Sequence, residues 1–220
     1  MKPLVMNFSH QKGGTGKSTM AYHIAKAFEL LNYKVTIYDL DIQDTCIEYN
    51  KLREVPRDNI KNITEDEELI HVIEDAKEDE IIIIDSGGFD SSLTRLAIMG
   101  ADINITPIAD KVSEILAITN KYSKILKEIE EATEEETNTY VLLNKIHLFA
   151  KNFEHLEAII EPHKQMKILN TIIRERAIYD KALQKGLTVQ EANTLKGHEN
   201  ASHELNKLAQ ELLSIHNEDK

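Results

Sequence analysis

The feature that most constrains this chain is the stretch KGGTGKST at residues 12–19. It follows an apolar run at residues 4–8 and precedes residues 21–31, where apolar side chains recur with helical spacing. A strand, a glycine-rich turn and a Gly-Lys-Ser sequence opening a helix are the context of a phosphate-binding loop. Glycines let several backbone N–H groups point at one anion, and the N-terminus of the helix adds its positive dipole. We therefore predict a nucleotide phosphate site here.

Two side chains of the loop have chemistry suited to a magnesium nucleotide. Lys17 is expected to reach the β- and γ-phosphates, and the Ser18 hydroxyl is expected to bind Mg²⁺. The plain pattern G-x-x-x-x-G-K-[ST] is not met, because Gln11 stands where its first glycine would be and Lys12 precedes the glycine pair. The predicted nucleotide ligands of the loop are Gly13, Gly14, Thr15, Gly16, Lys17, Ser18 and Thr19.

Lys12 gives this loop a resemblance to one family. The run resembles the deviant Walker A motif, K-G-G-x-G-K-[ST], of the ParA/MinD family of ATPases, whose signature lysine crosses a dimer interface to the partner's nucleotide. The resemblance implies ATP as the nucleotide, ADP as the product, and catalytic roles for Lys17 in its own pocket and Lys12 in the partner's. A cation beside the transferred phosphoryl group would neutralise charge that develops in the transition state. The alternative is that Lys12 is a solvated loop lysine.

A second acidic motif follows the next predicted strand, at residues 35–38. The sequence Asp39-Leu40-Asp41-Ile42-Gln43 resembles the Walker A′ box of the ParA family, usually D-x-D-P-Q, with Ile42 in place of the proline. By that resemblance Asp41 positions the attacking water and Asp39 supports the magnesium shell. Carboxylates at the carboxyl ends of strands lie on the ligand-binding edge of a parallel α/β sheet. The alternative is that the pair only caps the turn after the strand.

Four consecutive isoleucines before Asp85 predict a strand that is buried on both faces. An aspartate at the end of such a strand is the Walker B arrangement, and we expect Asp85 to hold a magnesium-bound water across from Ser18. The following residues, 86–88 (SGG), leave the backbone free to approach a phosphate and to move with the state of the nucleotide. A plain strand-to-helix turn is the alternative for this glycine pair.

The later part of the chain carries weaker signals. Residues 140–143 read as a strand, and the resemblance places Asn144 after it near the adenine base; the alternative is a simple turn residue. Residues 167–173 are predicted to form the last strand. By the same resemblance Arg174, in the segment that follows, is assigned to the border of the base.

The alternation of strand and helix patterns predicts one doubly wound, mostly parallel sheet of about seven strands flanked by helices, the P-loop NTPase class. We expect residues 1–220 to form a single deviant Walker A ATPase domain, resembling small ParA proteins without an N-terminal helix-turn-helix. Helices are predicted at residues 17–31, 46–54, 65–79, 90–99, 111–129, 152–161 and 202–216, and a further strand at residues 102–107.

The composition excludes several classes of protein. A single cysteine, Cys46, excludes a disulfide framework, a cysteine-based zinc site and a cluster held by this chain's own cysteines, and we expect a small core residue there. No apolar stretch approaches the roughly 20 residues that span a bilayer, and the N-terminus lacks a basic-then-apolar signal segment. We expect a soluble protein of the cytoplasm, with no membrane partner.

The resemblance implies an ATP-driven switch in which an ATP-bound homodimer binds DNA without sequence preference and associates with the nucleoid. A ParB-like or other activating adaptor protein would stimulate hydrolysis, and cycling would segregate plasmid or chromosomal DNA. The formal net charge of −12 opposes DNA binding, so a local basic stripe on the dimer is required. For Arg174 and Arg176 a surface ion pair is the alternative. The predicted DNA-binding residues are Arg174, Arg176, Lys181 and Lys185, with Lys111 and Lys121 as further basic positions.

Three other functions fit the same motifs. A MinD-like membrane switch would need a basic amphipathic tail, whereas this chain ends in an acidic helix. Positioning of a protein cargo, such as a chemoreceptor array or a microcompartment, would use the same ATPase. A metabolic relative, such as an ATP-dependent carboxylase or amide-forming ligase, would need a substrate pocket for which no extra domain is evident.

Overall fold

The computed structural model describes residues 2–218, and a seven-stranded sheet lies at its centre. The strands follow the order β3-β2-β4-β1-β5-β6-β7, and every neighbouring pair is parallel. This confirms the predicted doubly wound sheet, which is parallel throughout rather than mostly so. The strands are β1 (Leu4–Phe8), β2 (Lys34–Asp39), β3 (Ile60–Asn62), β4 (Glu80–Asp85), β5 (Ile103–Ile108), β6 (Thr139–Leu143) and β7 (Met166–Ile168).

Helices cover both faces of the sheet, as alternate burial along the strands shows. In β4, Ile81 and Ile83 pack in the core beneath the first and last helices, whereas Ile82 and Ile84 pack against the third and fourth. Within residues 2–218, no helix has the length and apolar content needed to cross a membrane. The helices are α1 (Lys17–Glu29), α2 (Thr45–Lys51), α3 (Asp66–Glu74), α4 (Ser92–Gly100), α5 (Val112–Leu116), a π-helical segment (Ala117–Tyr122), α6 (Ser123–Thr133), α7 (Glu154–Ile160), α8 (Ala177–Leu183) and α9 (His198–Glu218).

The helix predicted at residues 111–129 is interrupted by the π-helical segment (Ala117–Tyr122). Within it, the Thr119 hydroxyl donates to the carbonyl of Ile115 at 3.0 Å, and the Ser123 hydroxyl donates to the carbonyl of Thr119 at 2.5 Å. Side-chain bonds of this kind compete with the regular ladder and loosen a helix. Buried Tyr122 ends this segment, and its hydroxyl lies 2.5 Å from that of Ser9, just before the glycine loop.

The strand predicted at residues 167–173 is shorter than expected and ends at Ile168. The backbone N–H groups of Asn170 and Thr171 donate to the carboxylate of Glu211 on α9, at 2.6 and 2.8 Å, and so turn away from β6. Strand β3 and helix α8 were not predicted at all. They have three and seven residues respectively.

The parallel register determines where the site lies. Phe8 at the end of β1 pairs with Asp85 of β4, and Asp39 at the end of β2 also pairs with Asp85. The loops that follow β1, β2 and β4 therefore leave the sheet side by side. The carboxyl ends of β5 and β6 lie along the same edge, because both strands run parallel to β1.

Candidate functional site

At two points the glycine loop adopts a backbone conformation that favours glycine. Gly14 has φ +80° and Gly16 has φ +102°, in the left-handed region. A Cβ on Gly16 would lie 2.4 Å from the side-chain nitrogen of Asn144. Helix α1 begins at the next residue, Lys17, so its free N–H groups face the loop. The loop thus combines the backbone shape and the helix dipole that bind a phosphate.

The loop after β6 supports the glycine loop from behind. The amide of Asn144, which is 1% exposed, donates to the carbonyl of Thr15 at 2.8 Å. The ammonium of Lys145 donates to the carbonyl of Gly14 at 2.8 Å. Asn144 was predicted to contact adenine; here its amide is bonded to the phosphate loop, and a contact with the base stays a prediction.

A cavity of about 370 Å³ opens above the loop, a size suited to a small molecule. Lys17 is buried, with 5% of its surface exposed. Its ammonium lies close to Gly88: a Cβ added to that glycine would be 3.7 Å from the Lys17 nitrogen. The turn after β4 therefore closes directly over the loop. The cavity is lined by Gly13, Gly14, Gly16, Lys17, Ser18, Thr19, Asp41, Ile42, Gln43, Thr45, Tyr49, Gly88, Phe89 and Lys145.

Lys12 has a different environment from Lys17. Its ammonium donates to the hydroxyl of Ser113, near the start of α5, at 2.7 Å. Lys12 is absent from the lining of the cavity in its own subunit, which includes Lys17. The two lysines of the motif are thus separated, one inside the pocket and one beside it.

Two buried carboxyl groups meet behind the loop. Asp39 accepts the backbone N–H groups of Asp41 at 3.1 Å and Cys46 at 2.7 Å, and burial raises its pKa to about 6. Burial, and then the charge of Asp39, raise the pKa of Asp85 to about 7, while the nearby Ser18 hydroxyl and Lys17 ammonium act in the opposite direction. A divalent cation between them would remove this mutual repulsion.

The donors present fit a magnesium ion. Oδ1 of Asp85 is buried without a hydrogen-bond partner, and the Ser18 hydroxyl is beside the same carboxyl group. Carboxylate and hydroxyl oxygens are the ligands that Mg²⁺ takes in nucleotide sites. Asp41 stands apart from this group; it lines the cavity, and its carboxylate accepts the backbone N–H of Gln43 at 3.0 Å.

Several residues of the site were missed by the sequence prediction. The ring of His10 is fully buried with both nitrogens unpartnered, and burial, then Lys17 and Lys12, lower its pKa to about 4. Its position two residues before Lys12 could have indicated a role. Cys46, predicted as a core residue, is indeed buried, but its Sγ lies 3.4 Å from Oδ2 of Asp85. No local sequence signal points to that contact.

The predicted DNA-binding residues divide into two groups. The Arg174 guanidinium donates to the carbonyls of His147 and Ala150 at 3.0 and 2.8 Å and does not line the cavity. Arg176 forms an ion pair with Glu204 at 2.6 Å. The four lysines Lys111, Lys121, Lys181 and Lys185 are exposed.

A family model described as the CobQ/CobB/MinD/ParA nucleotide binding domain matches residues 8–189. Among curated proteins, no sequence matches the chain significantly.

Solved structures share the fold. Apo McdA from Cyanothece is 18% identical with a TM-score of 0.69, covering 94% of this chain and 99% of that one. The septum site-determining protein MinD of Pyrococcus horikoshii OT3, complexed with Mg-ADP, is 17% identical with a TM-score of 0.68, covering 97% and 98%. A ParA family ATPase from Chlorobium tepidum TLS is 15% identical with a TM-score of 0.65, covering 95% and 98%. At these identities the likeness shows the fold alone.

The raised pKa of Asp85 predicts a pH-dependent stability. Between its ordinary pKa of 3.8 and about 7, the unfolded chain has lost a proton that the folded chain keeps, so the free energy of unfolding falls as pH rises. Asp85→Asn has no carboxyl group to titrate at this position, so this fall in the free energy of unfolding with pH is removed. We expect the variant to be more stable than the wild type by about 1–3 kcal/mol at pH 7.5, and to lose that advantage near pH 4.

Urea unfolding of the nucleotide-free protein in EDTA, at a series of pH values, measures the difference. Asp58→Asn, at an exposed position, serves as the matched control and should follow the wild type. Parallel pH dependences for the wild type and Asp85→Asn would show that this carboxyl group carries no burial cost.

Proposed function

The chain belongs to the CobQ/CobB/MinD/ParA family of nucleotide-binding domains, and from this premise we propose that it is a Mg²⁺-dependent ATPase whose ATP-bound dimer binds and positions DNA. Residues 1–220 act as one such domain. The observation that carries this proposal is the different placement of the two lysines of the loop. Lys17 lies inside the cavity of its own subunit, whereas Lys12 stands outside it and is available to a second subunit.

The phosphates of ATP bind to the loop through backbone N–H groups and the Lys17 ammonium. The positive φ values at Gly14 and Gly16 shape this cradle, and the N-terminus of α1 adds its dipole. Asn144 and Lys145 hold the loop carbonyls from behind, so the N–H groups stay turned toward the ligand. These contacts fix the backbone of the loop, which lowers the entropic cost of binding.

Ser18, Asp39 and Asp85 are the residues that would hold Mg²⁺. The ion supplies charge neutralisation at the β- and γ-phosphates when it is bound. The unpartnered Oδ1 of Asp85 is available to accept a hydrogen bond from a water of the ion's shell. Asp39 is fixed by the backbone N–H groups of Asp41 and Cys46, which keeps its carboxylate pointed at Asp85.

Asp41 orients the attacking water. It lines the cavity, and its carboxylate keeps free acceptor capacity beyond the bond from the Gln43 N–H. A carboxylate at this place accepts a hydrogen bond from the water and directs its lone pair toward the γ-phosphate. The backbone N–H of Asp41 donates to the carboxylate of Asp39. A movement of Asp41 when the γ-phosphate is lost therefore also moves a residue that holds Mg²⁺.

Lys12 completes the pocket of the partner subunit. To do so it gives up its hydrogen bond to Ser113, an exposed contact of small energetic value. The γ-phosphate of the partner's nucleotide then replaces the hydroxyl as a charged acceptor, so ATP binding and dimer formation become linked. Hydrolysis removes this acceptor, and the turn at residues 86–88 is released with it. The dimer then separates and leaves the DNA.

DNA binding rests on exposed lysines, because the two arginines are engaged within the chain. Lys181 and Lys185 lie on or directly after α8 and are exposed, while Arg176 is paired with Glu204. The net charge of −12 means that the DNA surface must be local and salt-sensitive. An adaptor protein, ParB-like or of another kind, stimulates hydrolysis and connects the cycle to its cargo.

Substitution of Asp41 separates binding from hydrolysis. Asp41→Ala keeps the loop, both lysines and the magnesium carboxylates, so we expect it to bind ATP and dimerise while its hydrolysis rate falls by roughly 100-fold or more. Sedimentation velocity with ATP and with ADP measures the result: a dimer with ATP and a monomer with ADP. Lys17→Ala, which should lose nucleotide binding, is the control and should be monomeric in both. A monomeric Asp41→Ala protein with bound ATP would contradict the proposed dimer.

The DNA function has its own test. We expect ATP-dependent retention of nonspecific DNA at low salt, and about a tenfold or greater loss of affinity in the double variant Lys181→Glu/Lys185→Glu. Lys127→Glu, an exposed lysine on α6, is the matched control and should lose much less. Absence of ATP-dependent retention by the wild type, with dimerisation intact, would exclude DNA and leave a protein cargo as the substrate of positioning.

A further inference from the structure

The only cysteine of the sequence lies against the two buried carboxyl groups. Sγ of Cys46 is 3.4 Å from Oδ2 of Asp85 and 3.6 Å from the carbonyl oxygen of Ser18. The backbone N–H of Cys46 donates to Oδ2 of Asp39 at 2.7 Å, so the Asp39 side chain also lies next to Cys46. One potential ligand atom from each of Asp39, Cys46 and Asp85 lies within 4.8 Å of the others, and all three residues are buried.

The cluster contains an unsatisfied acceptor as well as a thiol. Asp85 is fully buried, and its Oδ1 has no hydrogen-bond partner. Buried polar atoms are nearly always paired, so an orphaned carboxylate oxygen marks a place for a cation or a polar ligand. Ser18 and Thr45, which adjoin the cluster, line the open cavity, whereas Asp39, Cys46 and Asp85 are themselves buried and absent from its lining.

We propose that Asp39, Cys46 and Asp85 form a binding site for a thiophilic divalent cation, with Zn²⁺ as the best match. Bond lengths of about 2.3 Å to sulfur and about 2.0–2.2 Å to carboxylate oxygen place tetrahedral S and O ligands roughly 3.5 Å apart. The observed Sγ to Oδ2 separation of 3.4 Å agrees with that spacing. Binding displaces the thiol proton to solvent and leaves a fourth position open to water.

The thiol distinguishes this site from the magnesium site described above. Mg²⁺ is a hard ion that takes oxygen ligands in octahedral geometry, and it gains nothing from sulfur. Zn²⁺ binds thiolate and carboxylate together and accepts four ligands. Because both sites use Asp39 and Asp85, an ion on Cys46 excludes Mg²⁺ and holds the pocket in an inactive state. The cation site itself is argued from the positions of Asp39, Cys46 and Asp85 and does not depend on ATP hydrolysis.

Cobalt(II) is the probe that reports on sulfur directly. Titration of the intact, reduced, nucleotide-free protein with Co²⁺ should produce a thiolate-to-cobalt charge-transfer band, and Cys46→Ser should lose it while remaining folded by circular dichroism. Since the sequence has one cysteine, a band can come from no other residue. Cobalt bound by any of the nine histidines alone does not produce this band, because imidazole supplies no thiolate. A wild-type protein without the band would overturn the proposal.

The carboxylate ligand is tested by a matched pair of aspartates. Asp85→Asn keeps the thiol but removes a charged ligand, and cobalt affinity should fall by roughly tenfold or more. Asp44→Asn, between β2 and α2 and bonded to Asn62 outside the cluster, should leave the affinity within about twofold. Equal losses in the two variants would overturn the assignment of Asp85.

Competition identifies the preferred ion. Zn²⁺ binds a given N, O or S site more tightly than Co²⁺, so stoichiometric zinc should abolish the band. A band that persists in excess zinc would exclude a zinc site. These measurements contain no nucleotide, so their failure leaves the ATPase proposal intact, and loss of ATPase activity in another variant would leave the cation site intact.

Discussion

Parallel pairing of β1 with β4 on one side and β5 on the other is the constraint on which the site depends. It aligns the ends of the strands, so that the glycine loop, Asp39 and Asp85 leave the sheet at neighbouring points. The hydrogen bonds of Asn144 and Lys145 to the loop carbonyls then extend the same edge across β6. A shift of one residue in the pairing of β2 with β4 would turn Asp39 to the face of the sheet opposite to that of Asp85.

Groups of like charge lie close together at this edge of the sheet, and they repel one another when no nucleotide or cation is bound. Burial raises the pKa of both Asp39 and Asp85, the charge of Asp39 raises that of Asp85 further, and burial lowers the pKa of His10 beside two lysines. Such an arrangement lowers the stability of the fold, and it is typical of sites where a bound ligand of opposite charge offsets the repulsion. Phosphate oxygens complement Lys17, and a divalent cation complements Asp39 and Asp85. We therefore expect the nucleotide and its cation to raise the free energy of unfolding by binding at this edge.

The sequence predicted those parts of the site that are local in the chain. The loop at residues 12–19, Asp39 with Asp41, and Asp85 after its isoleucine strand each carry their signal within a few residues. The contact of Asn144 with Thr15 spans 129 residues, and that of Ser9 with Tyr122 spans 113, so no short pattern reveals them. The early end of β7 was missed for the same reason, since it follows from Glu211 on a distant helix.

Complementation between two inactive proteins tests most directly whether Lys12 acts in the pocket of a second subunit. In a mixture of Lys12→Ala with Asp41→Ala, a mixed dimer has one complete pocket: it uses Asp41 from the first protein and Lys12 from the second. ATP turnover by the mixture should rise well above the sum of the two proteins measured separately. If Lys12 acts only within its own subunit, neither pocket of the mixed dimer is complete, and a mixture as inactive as its components would contradict the claim.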